Sequence, residues 1–373
     1  MLSPAWAGGQ AFGPAAYCRC VTDEPTKEEI GAYAFRVWGY KQGEVVSIMI
    51  HLGDRLGLFR TLGDLGTADA HGLAAATGFH ERWLLEWLRG MAAAELVVTA
   101  DGEKFTMPPA ARAVLVDEKH LAFAAGAFAG GRPSTFIDQL AEAFRTGIGP
   151  DYDSQGTQGA HEVERMSAAW SRGALVPIVL PRLEGVVAKL DNGARVLDLG
   201  CGGGIAMAAI AKAFPAARVD GVDLSHHAIE RAQHNLVDLP NASVRLGRAE
   251  AVTDAEAYDL VLTLDCLHDM TRPAEAIAAV RRALKPDGTW LAKEIRCWPT
   301  WEQNRKNPML AMFYGFSITA CMASATSEPG GAGLGTLGLN GELLQTMAEA
   351  AGFGRFDTHD VGDPANLYYE IRV

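Results

Sequence analysis

One stretch constrains this chain more than any other: Arg195-Val196-Leu197-Asp198-Leu199 runs into Gly200-Cys201-Gly202-Gly203-Gly204, and Ile205 to Phe214 then has helical character. An apolar strand, a glycine-rich turn and a helix in direct succession make the ligand-facing edge of an α/β unit. Glycines let the backbone pass close to a ligand, and the first N–H groups of the helix lie beneath it. The next apolar run, Ala217 to Val222, ends at Asp223, about 20 residues on, where an acidic side chain accepts hydrogen bonds from ribose hydroxyls. An adenosine-type ligand follows from this spacing. The third glycine of a G-x-G-x-x-G dinucleotide loop is absent, because Ile205 stands in its place; the form is Asp-x-Gly-x-Gly-x-Gly from Asp198 to Gly204.

From Ala194 onward, apolar strands and helices alternate nearly to the end, the signature of an α/β parallel sheet. Ser243 to Glu250, Tyr258 to Asp265 and Trp290 to Ile295 read as further strands, and Gly352 to Val361 with Asn366 to Val373 as a final antiparallel pair. Over residues 194 to 295, and again over 340 to 373, the sequence resembles class I S-adenosylmethionine (SAM) dependent methyltransferases, whose first motif has the Asp198–Gly204 form and whose second strand ends in an acid like Asp223. The resemblance implies a Rossmann-like seven-stranded sheet and S-adenosyl-L-methionine as cofactor. It assigns Asp198, Gly200, Gly202, Gly204, Asp223 and Leu224 to cofactor binding, Ala249 and Glu250 to the adenine, and Asp265 to the amino group of the methionine moiety or to the backbone turn. A second glycine run, Gly333-Leu334-Gly335-Thr336-Leu337-Gly338, fits G-x-G-x-x-G literally, but no strand precedes it and it reads as a mobile loop near the pocket.

Methyl transfer to a hydroxyl needs position, exclusion of water and removal of one proton. Asp265-Cys266-Leu267-His268-Asp269-Met270 follows the fourth strand, at the carboxyl end where ligands of open α/β sheets bind. An imidazole near pKa 6.5 is part neutral at working pH, which makes His268 the candidate base; the alternative is a histidine that caps the next helix. The stretch is similar to small-molecule O-methyltransferases of the plant type and their bacterial relatives, in which a His-Asp pair stands here, although Met270 replaces their Trp. That resemblance implies His268 as base with Asp269 beside it, Glu294 as the acid that orients the ring, and a later second acid for which Glu328 is a candidate. A small-molecule hydroxyl is the expected acceptor, ahead of a thiol or amine. A divalent ion on Asp265, His268 and Asp269 would want a denser acidic cluster, so no metal is expected. The apolar insert Trp298 to Met322 offers Met309, Phe313 and Tyr314 as pocket wall or as ordinary core. Tyr152 in the inter-domain loop is a further pocket candidate, and His51 and His161 are left open between pocket and structural roles.

Upstream, Thr26 to Phe59 reads as one or two helices apolar enough for burial, with Phe35, Trp38, Val45, Ile48 and Leu52. Thr67 is the candidate cap of a helix ending at Gly78, a second helix runs from about His80 to Ala94, and Asp101-Gly102 turns a hairpin. Helix, turn, helix and hairpin form a winged-helix pattern. Its second helix carries two Glu against two Arg and the apolar residues Trp83, Leu84, Trp87 and Leu88, a surface for packing rather than for phosphates. With Lys+Arg 33 against Asp+Glu 45, a net charge of -12, nucleic acid and anionic membrane are disfavoured partners, and a homodimer is expected. The 373 residues thus divide into a leader (1–25), a helical winged-helix dimerisation domain (26–120), a helical linker (121–190) and a SAM-binding domain (191–373) with an insert around 298–340. Scattered cysteines, Cys18 and Cys20 included, read as reduced thiols of a cytoplasmic protein. Two rivals stand beside the enzyme: a SAM-binding winged-helix transcriptional regulator and a catalytically inert dimeric scaffold.

Overall fold

A computed structural model describes residues 24–373; the leader, with Cys18 and Cys20, falls outside the described residues except for its last two positions. The first helix, α1 (Lys27–Arg55), opens with a capping box in which Thr26 and Glu29 satisfy each other's backbone N–H groups. It is followed by α2 (Leu58–Leu65), β1 (Thr67–Ala68), α3 (Ala70–Thr77), α4 (Glu81–Ala93), β2 (Val98–Thr99), β3 (Phe105–Thr106) and α5 (Pro109–Leu115). The three short strands form an antiparallel sheet ordered β1-β3-β2, with Asp101 accepting from the N–H groups of Glu103 and Lys104 at 2.9 Å each in the turn. Thr67 is not the cap expected for α3: it pairs with Thr106 in the sheet, and Asp69 caps the helix instead, accepting from Gly72 N–H. Gly78 ends α3 in the left-handed conformation, φ 74°.

On α4, Leu84, Trp87, Leu88 and Met91 fill the domain core with Phe59, Leu62, Leu73 and Phe105, which is the i, i+3, i+4, i+7 stripe of an amphipathic helix. Trp83 lies about 100° away on the same turn and is 80% exposed, so the apolar surface expected across Trp83 to Leu88 is divided between core and outside. The burial expected along α1 is likewise not supplied by the described residues. Only Ile50 and Gly53 of this helix are buried, while Phe35 and Trp38 stand 83% and 70% exposed, because the helix runs past the domain it belongs to.

The linker contains α6 (Ser134–Thr146), a short turn Tyr152–Gln155, α7 (Gly156–Trp170) and a wide-wound segment Ser171–Val179, before α8 (Val186–Asp191). The C-terminal domain then alternates β4 (Arg195–Leu199), α9 (Ile205–Ala213), β5 (Arg218–Asp223), α10 (His226–Asn235), β6 (Ala242–Leu246), β7 (Tyr258–Leu264), α11 (Pro273–Ala283) and β8 (Leu284–Ile295). After α12 (Trp301–Asn304), α13 (Leu310–Phe316), α14 (Met322–Ala325) and α15 (Gly341–Ala350), the hairpin β9 (Arg355–His359) and β10 (Asn366–Arg372) completes a seven-stranded sheet. Its order is β6-β5-β4-β7-β8-β10-β9. The pairs among β4 to β8 are parallel and β10 runs antiparallel to both neighbours, the Rossmann-like arrangement expected. Both faces are covered: Val196, Val219, Leu260 and Leu262 pack on one side with α9, and Leu197, Leu199, Val261 and Trp290 on the other with α11. The order reverses between β4 and β7, and a crevice opens at such a switch point, outside the carboxyl ends of the strands. Among the described residues no helix is long and apolar enough to cross a membrane.

Candidate active site

The glycine loop leaves β4 in a conformation that side chains resist: φ is 74°, 52° and 73° at Gly200, Gly202 and Gly204. A Cβ placed on Gly202 would meet nothing within 4 Å, so the loop faces open space there. A Cβ on Gly203 would strike the Glu164 carboxylate at 2.5 Å, which shows how closely α7 lies over the loop. Glu164, buried, clasps Arg231 of α10 through two bonds of 2.5 and 2.9 Å, and Asn235 donates to Gly203 O at 2.8 Å. At the end of β5, Asp223 accepts from Gly202 N–H at 2.8 Å and from Ser225 N–H at 2.9 Å. Leu224, next to it, is 45% exposed.

Asp198 is the most telling side chain of this floor. It is buried, and neither carboxylate oxygen has a hydrogen-bond partner among the described residues. Burial, reinforced by Asp223, pushes its carboxyl up to about 7. A buried acid without donors is a costly group that a bound ligand carrying N–H or positive charge would satisfy. The orphaned oxygens, the open glycine turn and the acid ending β5 fit SAM. Ala249 has its methyl in the core, and Glu250 is held by Arg248 at 2.5 Å.

One strand over, β7 delivers Asp265 at φ 55°, with its N–H bonded to Lys293 O at 2.8 Å. Its carboxylate is engaged by Lys293 Nζ and, at 2.5 Å, by Asn366 Nδ2. His268 follows on a short turn Leu267–Asp269 and is buried. Glu294 of β8, also buried, reaches His268 Nδ1 with Oε2 at 2.5 Å and accepts Leu267 N–H on Oε1 at 3.1 Å. Burial pushes the imidazole down, but the Glu294 carboxylate outweighs it and holds the ring well above the usual histidine range. Asp269, at the same end of the sheet, is pushed up to about 7 by burial. Asp265, His268 and Asp269 do not converge on one point as metal ligands would: the first turns to Lys293 and Asn366, the second to Glu294.

Tyr152 enters this site from the linker. Burial, together with the charges of Asp223 and Asp269, drives its phenol well up. Its turn is fixed over the crevice by Asp153, which accepts from Ser225 Oγ, and by the contact of Thr157 with His227 at 3.1 Å. Gly149 N–H donates to Thr326 O at 3.2 Å on the other flank. Of the insert residues, Phe313 is buried while Met309 and Tyr314 are 48% and 41% exposed, Tyr314 lying against Trp301. Glu328 pairs with Arg248 at 2.6 Å. The Gly333–Gly338 loop is tied to the site, with Gly335 N–H donating to His268 O at 3.1 Å and Thr336 N–H to Ser317 Oγ at 3.3 Å. His51 Nδ1 meets Phe128 O at 2.7 Å, a structural tie within the N-terminal half; the buried Nδ1 of His161 has no partner among the described residues. The Glu164–Arg231 clasp and the Asp153–Ser225 bond join residues far apart in the chain. Of these only Ser225, a helix N-cap residue after β5, carries a local signal.

Comparison with known proteins agrees with this layout. Residues 196–288 match the methyltransferase domain family and residues 44–117 a winged helix-turn-helix domain family described as Rv2258c-like. Malonyl-[acyl-carrier protein] O-methyltransferase of Halalkalibacterium halodurans is 33% identical over 105 residues, 27% of this chain and 39% of that protein. The S-adenosyl-L-methionine-dependent Diels-Alderase iccD of Talaromyces variabilis is 28% identical over 191 residues, 49% of this chain and 60% of that one. The chain thus spans less than two thirds of the length of these curated relatives. Among solved structures, human N-acetylserotonin methyltransferase in complex with SAM superposes with a TM-score of 0.66 at 17% identity, covering 94% of this chain and 99% of that one. Mitomycin 7-O-methyltransferase does so with 0.63 at 20% identity, covering 93% and 99%. At such identities the likeness establishes the fold, and it extends over both domains.

Proposed function

We propose, for a chain that carries a methyltransferase domain behind a winged-helix domain, SAM-dependent methylation of a small-molecule hydroxyl with His268 as general base. The observation that carries the reading is the buried His268–Glu294 pair, bonded at 2.5 Å, one strand from a glycine loop whose Asp198 lacks any partner among the described residues. SAM supplies a methyl group activated on a sulfonium, whose departing thioether needs no acid. Asp198, the Gly200–Gly204 turn and Asp223 would hold it; a carboxylate has about four acceptor sites, so Asp223 can take ribose hydroxyls while keeping its two N–H donors. Glu294 occupies Nδ1 of His268 and leaves Nε2 to take the acceptor's proton. The imidazolium that results is stabilised by the same carboxylate, the role a buried acid plays behind any histidine base. Tyr152 and the stretch fixed to Ser225 and His227 exclude water from the crevice. The test is calorimetry with SAM and S-adenosylhomocysteine, followed by transfer of a labelled methyl group to a panel of hydroxyl acceptors; absence of binding to either nucleoside sinks the reading.

Cofactor binding carries a proton signature. Asp198 and Asp269 are both pushed up to about 7 by burial, so each is part protonated near neutrality in the free protein. A cation beside them favours the ionised forms. SAM binding therefore releases protons, and affinity rises as pH increases from about 6 to about 8, by up to roughly tenfold per pH unit for each proton released. Titrations in buffers of different protonation heat read the number released; a value of zero contradicts the assignment of these acids.

The homodimer belongs to the same proposal. Ile30, Tyr33, Phe35, Val37, Trp38 and Tyr40 of α1 are all more than half exposed, an apolar surface larger than a monomer's scattered outer residues account for, and a second copy of the chain is the occupant we assign to it. Light scattering is expected to give twice the single-chain mass for the protein and a single-chain mass for Phe35→Glu/Trp38→Glu. A monomeric wild type excludes the dimer.

A further inference from the structure

β8 is buried from Gly288 to Glu294, and Lys293 within this stretch is 6% exposed. A lysine is seldom enclosed to this degree unless its charge is met. Here it is met twice. Nζ bonds the carboxylate of Asp265 and stands 4.5 Å from the centre of the Trp170 ring, at the end of α7. Trp170 is fixed in turn, since its Nε1 donates to Tyr368 Oη at 2.6 Å and that hydroxyl donates to Asp363 at 2.5 Å. Tyr368 lies opposite Lys293 across the β8–β10 pairing.

Asp265 opens the turn that carries His268. Its φ of 55° is one that a residue other than glycine keeps only when its surroundings impose it. Those surroundings come from two neighbouring strands. Lys293 O accepts Asp265 N–H at 2.8 Å, while Lys293 Nζ and Asn366 Nδ2 donate to the carboxylate. Successive residues of a strand point to opposite faces, so Lys293 and Glu294 grip the same turn from the two sides of the sheet. Lys293 does so at Asp265, and Glu294 at Leu267 N–H and His268 Nδ1.

We propose that Lys293 is a positioning residue for His268: its ion pair with Asp265 holds the turn in the left-handed conformation that lays the imidazole against Glu294. Of the two roles the resemblance leaves to Asp265, this one is the backbone turn. Without the ammonium the carboxylate swings to water, the strained residue relaxes, and the bond between His268 and Glu294 loosens. The consequence for rate rests on the reading of His268 as the base of methyl transfer; the consequence for the ring does not.

The readout is the Nδ1 proton of His268. In a bond of 2.5 Å to a carboxylate it is strongly deshielded. Proton NMR at about pH 6, where the ring is charged and both its nitrogens carry a proton, is expected to show it far downfield of the amides as a resonance missing from His268→Asn. Lys293→Met, apolar and of similar reach, is expected to broaden this resonance beyond detection or move it upfield in a protein that circular dichroism shows to be folded. Lys293→Met/Asp265→Asn strands no charge, and asparagine tolerates the left-handed conformation and can keep Asn366 as partner; it is expected to restore the resonance. In methyl transfer, Lys293→Met is expected to lower kcat about tenfold or more with KM for SAM within a few-fold, and the second change to recover most of the loss. Should Lys293→Met fail to fold, Lys293→Met/Asp265→Ala, which leaves no carboxylate unpaired, takes its place and is expected to lack the resonance. A resonance unchanged by loss of Lys293, or one lost equally in Lys293→Met/Asp265→Asn, overturns the proposal. A Lys293-dependent resonance in a protein that binds no SAM leaves it standing and removes the methyl-transfer reading; SAM-dependent transfer with a resonance indifferent to Lys293 does the reverse.

Discussion

Replacing His268 by Asn lowers the rate of methyl transfer by about 10²–10⁴-fold at neutral pH and leaves the affinity for S-adenosylhomocysteine within a few-fold of the unaltered protein. The split is expected because the proposed base serves the acceptor, whereas Asp198 and Asp223, the acids proposed to hold the cofactor, lie on β4 and β5. The pH profile carries the sign of the same interaction. Burial alone would depress the imidazole, but Glu294 at 2.5 Å wins and raises it well above the ordinary value. A raised histidine holds its proton to higher pH, and only the neutral ring is a base, so the rising limb of the rate lies at higher pH than a free histidine would give. Glu294→Gln removes the charge that raises the ring; it shifts the rising limb to lower pH and, with the ring less firmly held, lowers the plateau. Unchanged turnover in His268→Asn with the true acceptor, or a limb that stays in place in Glu294→Gln, contradicts the assignment.

Asp198→Asn is expected to weaken SAM binding by about 10 to 10²-fold, the worth of a buried charge-assisted contact, and at the same time to stabilise the free protein. A folded-state carboxyl near 7 against an ordinary 3.8 means that ionisation opposes folding. The cost is absent below about pH 4, grows as pH rises, and is complete above about pH 7. The amide carries no such cost, although it is also short of partners. Thermal melts at about pH 8 and about pH 5 separate the two: the variant gains about 1–3 kcal/mol relative to the parent at the higher pH, and less at the lower. A gain independent of pH would mean that packing, not charge, distinguishes the two side chains. Stability is surrendered at Asp198 in the free protein, as at other binding sites held ready for a charged ligand.

These two residues were legible in the sequence to different depths. Asp198 was visible because strand, glycine turn and helix are contiguous, so a local pattern carries the whole unit; its lack of partners was not, since that depends on what four other strands fail to bring. His268 follows β7 on a short turn and Glu294 lies on β8, and their pairing follows from the parallel register of the two strands; the resemblance located both, whereas spacing alone located neither. The Glu164–Arg231 clasp has no trace in the sequence, because it depends on how a helix is laid across the crevice. At Thr67 the local signal misled: a good cap residue was taken up by a strand pairing with Thr106, 39 positions away. Along α1 the apolar density was real, but the described residues do not bury it.

The stretch that roofs the crevice has a bearing on kinetics. Tyr152 and its neighbours are fastened on one flank to Ser225 and His227 and on the other to the backbone of Thr326. A nucleoside that enters or leaves beneath this strap has to wait for those few bonds to open together. S-adenosylhomocysteine is therefore expected to leave slowly. Loosening the fastening by Ser225→Ala is expected to shorten its residence time, which stopped-flow displacement by SAM reads.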